Sequence, residues 1–186
     1  MAYLIGLDPG FASFGYGVLQ ADQLRTTIEC VGVFHTKKAI KKQSVLAAED
    51  NFVRARELAQ FLRNLLLGLS AQKQPIVLVA ESMSFPRSSS SAAKVAMSWG
   101  ILAALSEEWQ LPLVQASPQQ IKYVLCEDRK ASKEAVQGVL MRRYSGQFDA
   151  FVKNTPSGQW EHGFDAVGAV VACLGSDVIR IARGMT

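Results

Sequence analysis

Three stretches of β-type residues follow one another in the first 36 residues, and beyond them the chain alternates long helical patterns with short apolar runs. That order constrains the fold more than any other feature of the sequence. Strands joined by short turns lie antiparallel, whereas a strand reached through a helix pairs parallel with an earlier one. Residues 2–7 form an apolar run that stops at Asp8-Pro9-Gly10, a strong turn signal. Residues 15–19 read as the return strand, and residues 26–36, rich in β-branched and aromatic side chains, as the third.

Farther along, Phe52, Ala55, Leu58, Leu62, Leu65 and Leu69 recur every three or four residues and predict a helix over 47–69 with those side chains buried. Residues 76–80 are an unbroken apolar run, the mark of a buried parallel strand, and Glu81 stands directly at its end. A polar loop over 82–91 leads to a helix over 92–109, a short strand over 113–116 and helices over 118–125 and 132–144. A loop over 145–163 and an apolar final helix over 164–182 complete the chain. The expected architecture is a mixed five-stranded sheet, three antiparallel strands first, with helices on both faces: the layout of the ribonuclease H-like fold. A length of 186 residues buries one substantial core, so one domain over 1–186 is expected.

Lys and Arg number 20 against 16 Asp and Glu, a net charge of +4 that permits a polyanionic partner without requiring one. The bases cluster, Lys37, Lys38, Lys41 and Lys42 in one segment and Arg129, Lys130 and Lys133 in another, although such clusters are ordinarily solvated surface. Cys30, Cys126 and Cys173 are odd in number and widely spaced, which predicts neither disulfides nor a zinc site and fits a reduced compartment. No basic leader precedes the first apolar stretch, and the run over 166–174 is far shorter than the roughly 18 residues of a membrane span. A cytoplasmic protein with no membrane partner is expected.

Two buried strands ending in carboxylates, Asp8 and Glu81, are the chemical signal. His162 and Asp165 lie one helical turn apart near the start of the last helix. Sheets of this type place their ligand sites outside strand ends and at helix starts. Clustered carboxylates suit magnesium, and two such ions roughly 3.5–4 Å apart can activate water and stabilise a leaving oxygen at a phosphodiester. Asp8 would bridge both ions, Glu81 and Asp165 would each complete one shell, and His162 would ligate as a neutral imidazole or handle a proton. Manganese could replace magnesium at such oxygen donors. Singly, Asp8 is also a normal turn former and Asp165 a normal first-turn acid, while His162 suits an ordinary surface; Glu81 is the hardest to explain as solvated surface.

Together these residues resemble the RuvC family of Holliday junction resolvases over nearly the whole chain. Gly6-Leu7-Asp8-Pro9-Gly10 followed by Gly15-Tyr16-Gly17-Val18 is similar to the family's first acidic motif and hairpin. Val79-Ala80-Glu81, then Ala92-Ala93-Lys94 and Gly100, is similar to the second motif and the helix after it. Residues 117–122, with Ser132-Lys133 downstream, resemble the segment whose lysines approach the DNA backbone near the cut. His162-Gly163-Phe164-Asp165 is similar to the closing motif.

The resemblance implies a homodimer that binds branched DNA, chiefly four-way junctions, and makes paired nicks with 5′-phosphate and 3′-hydroxyl ends, in recombination and repair. It leaves open a branch-migration partner. Lys122 and Lys133 would neutralise phosphates and steady developing charge, with Lys94, Arg129 and Lys130 as further DNA contacts. One departure stands out: where the family can carry an aromatic wedge, three residues past the acid, this chain has Ser84, with Phe85 one position later and Arg87 beside it. Phe85 would either stack on an unpaired base or pack in the core. The segment Lys37–Lys42 and the long loop containing Trp160 also depart from the family and would extend DNA contact, whereas Trp99 and Trp109 read as packing residues. A phage-like nuclease of broader branched-DNA specificity and a junction-binding protein without catalysis are the alternatives. An actin-like or sugar-kinase ATPase shares the glycine-rich hairpin but needs about twice this length.

Overall fold

The computed structural model describes residues 1–37, 46–83 and 88–184. Lys38, Lys41, Lys42, Ser84, Phe85 and Arg87 lie outside the described residues. The strands are β1 (Ala2–Asp8), β2 (Ser13–Ala21), β3 (Thr26–His35), β4 (Ile76–Glu81) and β5 (Leu113–Ala116). They form one sheet in the order β3-β2-β1-β4-β5. β1 and β2, and β2 and β3, pair antiparallel, while β4 pairs parallel with both β1 and β5. This is the mixed five-stranded sheet expected.

Each strand alternates its side chains between two cores. Leu4, Leu19, Val77 and Val79 face one side, where α3 (Pro118–Cys126), α4 (Lys133–Arg143), α5 (Asp149–Asn154) and α6 (Trp160–Cys173) cover them. Tyr3, Ile5, Leu7, Leu78 and Ala80 face the other, under α1 (Ala47–Ser70) and α2 (Ser89–Glu108). Among the described residues, no helix is long and apolar enough to cross a membrane.

Several boundaries differ from the sequence reading. In α1, Phe52 is 62% exposed while Arg54 is buried. Arg54 Nε donates to Thr36 Oγ1 (2.9 Å) and its guanidinium lies over the Phe11 ring, so a charged side chain takes the inward position that periodicity offered to Phe52. The expected loop over 145–163 contains α5, a 3-10 turn at Ser157–Gln159 and the first turn of α6. Trp160 therefore lies on a helix against the core, its indole N–H donating to Thr155 O (2.8 Å), rather than in the expected loop. The long final helix is two, α6 and α7 (Asp177–Ala182), because Ser176 after Gly175 caps the second through Ile179 N. Trp99 and Trp109 pack in the α1/α2 core as expected.

Candidate active site

Asp8 ends β1 and Glu81 ends β4, and the last register pair between these strands, Leu7 with Ala80, stands directly before them. Alternation places Asp8 with Leu4 and Gly6, and Glu81 with Val77 and Val79, so both acids project on the α6 face. α6 lies directly against the sheet because glycines leave room for it. A Cβ on Gly6 would stand 2.1 Å from Ala166 O, and one on Gly15 would stand 2.1 Å from His162 O. This contact, backbone to backbone, carries His162 and Asp165 to the strand ends.

His162 Nδ1 lies 2.6 Å from Asp8 Oδ2. A carboxylate only accepts, so the imidazole donates through Nδ1–H. This hydrogen bond raises the His162 pKa above its ordinary value, against the opposing effect of burial. The sequence left His162 as a neutral ligand or a proton handler; in the structure its Nδ1 is engaged by Asp8.

Two clefts meet at Glu81. The first, about 170 Å³, is lined by Asp8, Gly10, Glu81, Met83 and Trp99. The second, about 160 Å³, is lined by Glu81, Lys122, Lys133, Val136 and Asp165. Burial, then the nearby Asp165 and Asp8 charges, push the Glu81 carboxyl up to about 8. Burial and Asp8 push Asp165 up to about 6, with Lys133 only partly compensating. Half-buried acids that repel one another at the end of an apolar sheet are only partly offset by Lys133 and His162. Among the described residues, no three or more His, Cys, Asp or Glu side chains are arranged to hold a metal ion as they stand. The donor set nevertheless fits a hard divalent cation: oxygen donors on three separate elements, whose repulsion a cation would relieve.

The Lys133 ammonium pairs with Glu161, a residue that sequence reading left inside the expected loop over 145–163, where an acid is ordinary solvated surface. That hydrogen bond is the main cause of the raised Lys133 pKa. Lys94 sits half-buried on α2 and lines neither cleft; Arg129 and Lys130 are exposed in the α3–α4 connection, also outside both. A larger cavity, about 620 Å³, lies at the opposite end of the sheet among Ile76, Trp109, Leu111 and Val178, with no acid or base in its lining. The three cysteines are free.

The family model described as crossover junction endodeoxyribonuclease RuvC matches residues 4–145, a span that contains Asp8, Glu81, Lys122 and Lys133 but stops before His162 and Asp165. A Synechococcus protein named crossover junction endodeoxyribonuclease RuvC is 34% identical over 143 residues, 75% of this chain and 82% of that relative. One of the same name from Natranaerobius thermophilus is 32% identical over 136 residues, 72% of this chain and 75% of the relative. In fold, the chain is similar to Thermus thermophilus RuvC solved with a Holliday junction substrate, with TM-score 0.71, 21% identity and coverage of 100% and 98%. It is also similar to the yeast mitochondrial Holliday junction resolvase, with TM-score 0.64, 16% identity and coverage of 98% and 84%. The match to the family model and to these relatives shows that the chain belongs to the RuvC family of crossover junction endodeoxyribonucleases.

Proposed function

We propose that this chain is a metal-dependent endodeoxyribonuclease that resolves four-way DNA junctions by paired nicks, leaving 5′-phosphate and 3′-hydroxyl ends. The observation that carries the reading is the convergence of Asp8, Glu81 and Asp165 on the α6 face, with Lys122 and Lys133 across Glu81 from Asp8. Asp8, Glu81 and Asp165 would hold two divalent cations, magnesium or manganese, which when bound supply water activation and stabilise the leaving oxygen. Lys122 and Lys133 receive the scissile phosphate in the second cleft and offset charge that develops on it. His162 orients the Asp8 carboxylate through Nδ1 and carries a proton at the edge of the site. A homodimer suits the two-fold symmetry of a four-way junction, placing one such site on each of two strands.

A broader branched-DNA nuclease is the second reading, favoured by Ser84 standing where the family can carry an aromatic wedge. Synthetic four-way, three-way and flap substrates with magnesium, cut by the wild type and by Asp8→Asn, separate the readings. Symmetric, ligatable nicks in the four-way junction by the wild type alone support the resolvase. Equal cutting of all three substrates replaces it with the broader nuclease. Binding without cutting, with magnesium or manganese, overturns both.

A further inference from the structure

We propose that the exposed ring of Tyr123, backed by Arg129, is a stacking platform for an unpaired base of the branched DNA whose phosphate occupies the Lys122–Lys133 cleft. The proposal rests on the nuclease reading above and adds to it a contact that reads base faces rather than phosphates.

α3 is amphipathic, and its inward face is satisfied. Ile121 is 3% exposed in the core, whereas Tyr123 is 54% exposed, a large aromatic surface left outside. One residue before it, Lys122 lines the cleft shared with Glu81 and Asp165. Successive helical residues diverge by about 100°, so Tyr123 presents its ring on the outer face of α3, one step round the helix from Lys122 and away from the wall that Ile121 gives the cleft.

The Tyr123 ring also has a fixed neighbour. The Arg129 guanidinium carbon lies 5.6 Å from its centroid, in cation–π range. The chain reaches that position through a sharp reversal. Glu127, the residue capping α3, has φ +57°, a left-handed conformation usually left to glycine or asparagine. The Asp128 carboxylate then accepts from Lys130 N (2.8 Å), pinning the turn. A non-glycine residue in that conformation costs energy, and the turn it makes brings a cation over the aromatic ring that follows cleft-lining Lys122.

Charge identifies the occupant. Residues 122–133 carry Lys122, Arg129, Lys130 and Lys133 against Glu127 and Asp128, a cationic setting for a polyanion. Bases inside a duplex have both faces occupied, so an aromatic platform gains nothing from a continuous helix. At a branch point bases lose their stacking partners, and a ring with a cation behind it stacks on any of them.

Binding of a synthetic four-way junction carrying 2-aminopurine at branch-point positions, in metal-free buffer, tests this directly. The wild type is expected to change the fluorescence of at least one labelled position. Tyr123→Ala should abolish that change and weaken binding by roughly 5- to 140-fold, the range for losing one base–aromatic stack, with an unaltered dependence on salt. Tyr123→Phe should keep both properties. Arg129→Ala should weaken binding and reduce the salt slope by about 1. If Tyr123→Ala, with an unchanged melting temperature, binds within twofold of the wild type and still perturbs the label, the platform is wrong. It is equally wrong if Tyr123→Phe loses as much as Tyr123→Ala, because the hydroxyl would then be the contact. A wild type that binds and cuts junctions while the variants match it overturns the platform alone; one that binds no branched DNA overturns the nuclease reading as well.

Discussion

His162 Nδ1 and Asp8 Oδ2 stand 2.6 Å apart although 154 residues of chain separate them. The hydrogen bond forms only because α6 lies flat on β1 and β2, and it ties the first acidic motif of the chain to the last.

A titration reads that bond. The Asp8 carboxylate holds the His162 pKa above 6.5, so the stability this pair contributes is present below about 6.5 and is lost as pH rises through the raised value. In Asp8→Asn the hydrogen-bonded countercharge is gone and burial is opposed only by the smaller effects of Glu161 and Asp165, so the NMR titration midpoint of His162 in metal-free protein should fall. A midpoint that does not move would show that the bond is absent in solution.

Glu81 carries the opposite consequence for its own type. Its ordinary value is 4.5 and its value in the folded protein about 8, so in that window the folded state retains a proton that the unfolded chain has lost. Stability of the metal-free protein should therefore fall as pH rises from about 4.5 to about 8. Glu81→Gln should remove much of this slope, stabilise metal-free protein at pH above 8 by roughly 1–3 kcal/mol, and abolish cleavage. Magnesium should raise the melting temperature of the wild type at that pH and raise that of Glu81→Gln less. Thermal melts over pH, with and without magnesium, decide it.

Lys133 and Glu161 make a half-exposed ion pair, with side chains 57% and 38% accessible, so the pair contributes at most about 1 kcal/mol to folding. Its effect should appear in DNA binding. Glu161→Gln removes a negative charge from the phosphate's approach and frees Lys133, so junction affinity should rise and its salt dependence steepen by about 1 in slope, with the melting temperature nearly unchanged. Lys133→Ala should slow cleavage by roughly 100-fold, as expected for a lost donor to developing charge. Binding titrations at several salt concentrations and single-turnover cleavage measure the two effects.

Gly6→Ala should be far more damaging than its one added methyl suggests. That methyl would meet Ala166 O at 2.1 Å, a backbone atom that moves only if α6 moves. A loss of roughly 2–4 kcal/mol in stability is expected, with cleavage falling further because Asp165 is displaced. Gly100→Ala is the control: nothing lies within 4 Å of its added atom on the exposed side of α2, and helix propensity should stabilise it by roughly 0.5–1 kcal/mol. Denaturant unfolding of both variants measures the contrast.

Local sequence signals carried most of the architecture. Period-two and continuous apolar runs located five strands, and turn residues marked their ends, because side-chain alternation and turn chemistry are properties of a few adjacent residues. The same signals named Asp8 and Glu81, since a carboxylate terminating a buried strand is visible in one dimension. Weak periodicity hid α5 and the first turn of α6, and Phe52 looked inward because its spacing cannot register that Arg54 finds Thr36 and Phe11 across the fold. No spacing rule brings Glu161 to Lys133 or Arg129 to Tyr123 either. Strand order, the seating of α6 on Gly6 and Gly15, and the mutual repulsion that raises Glu81 and Asp165 all arise between segments distant in sequence. They depend on burial and charge separation, which exist only once the chain has packed.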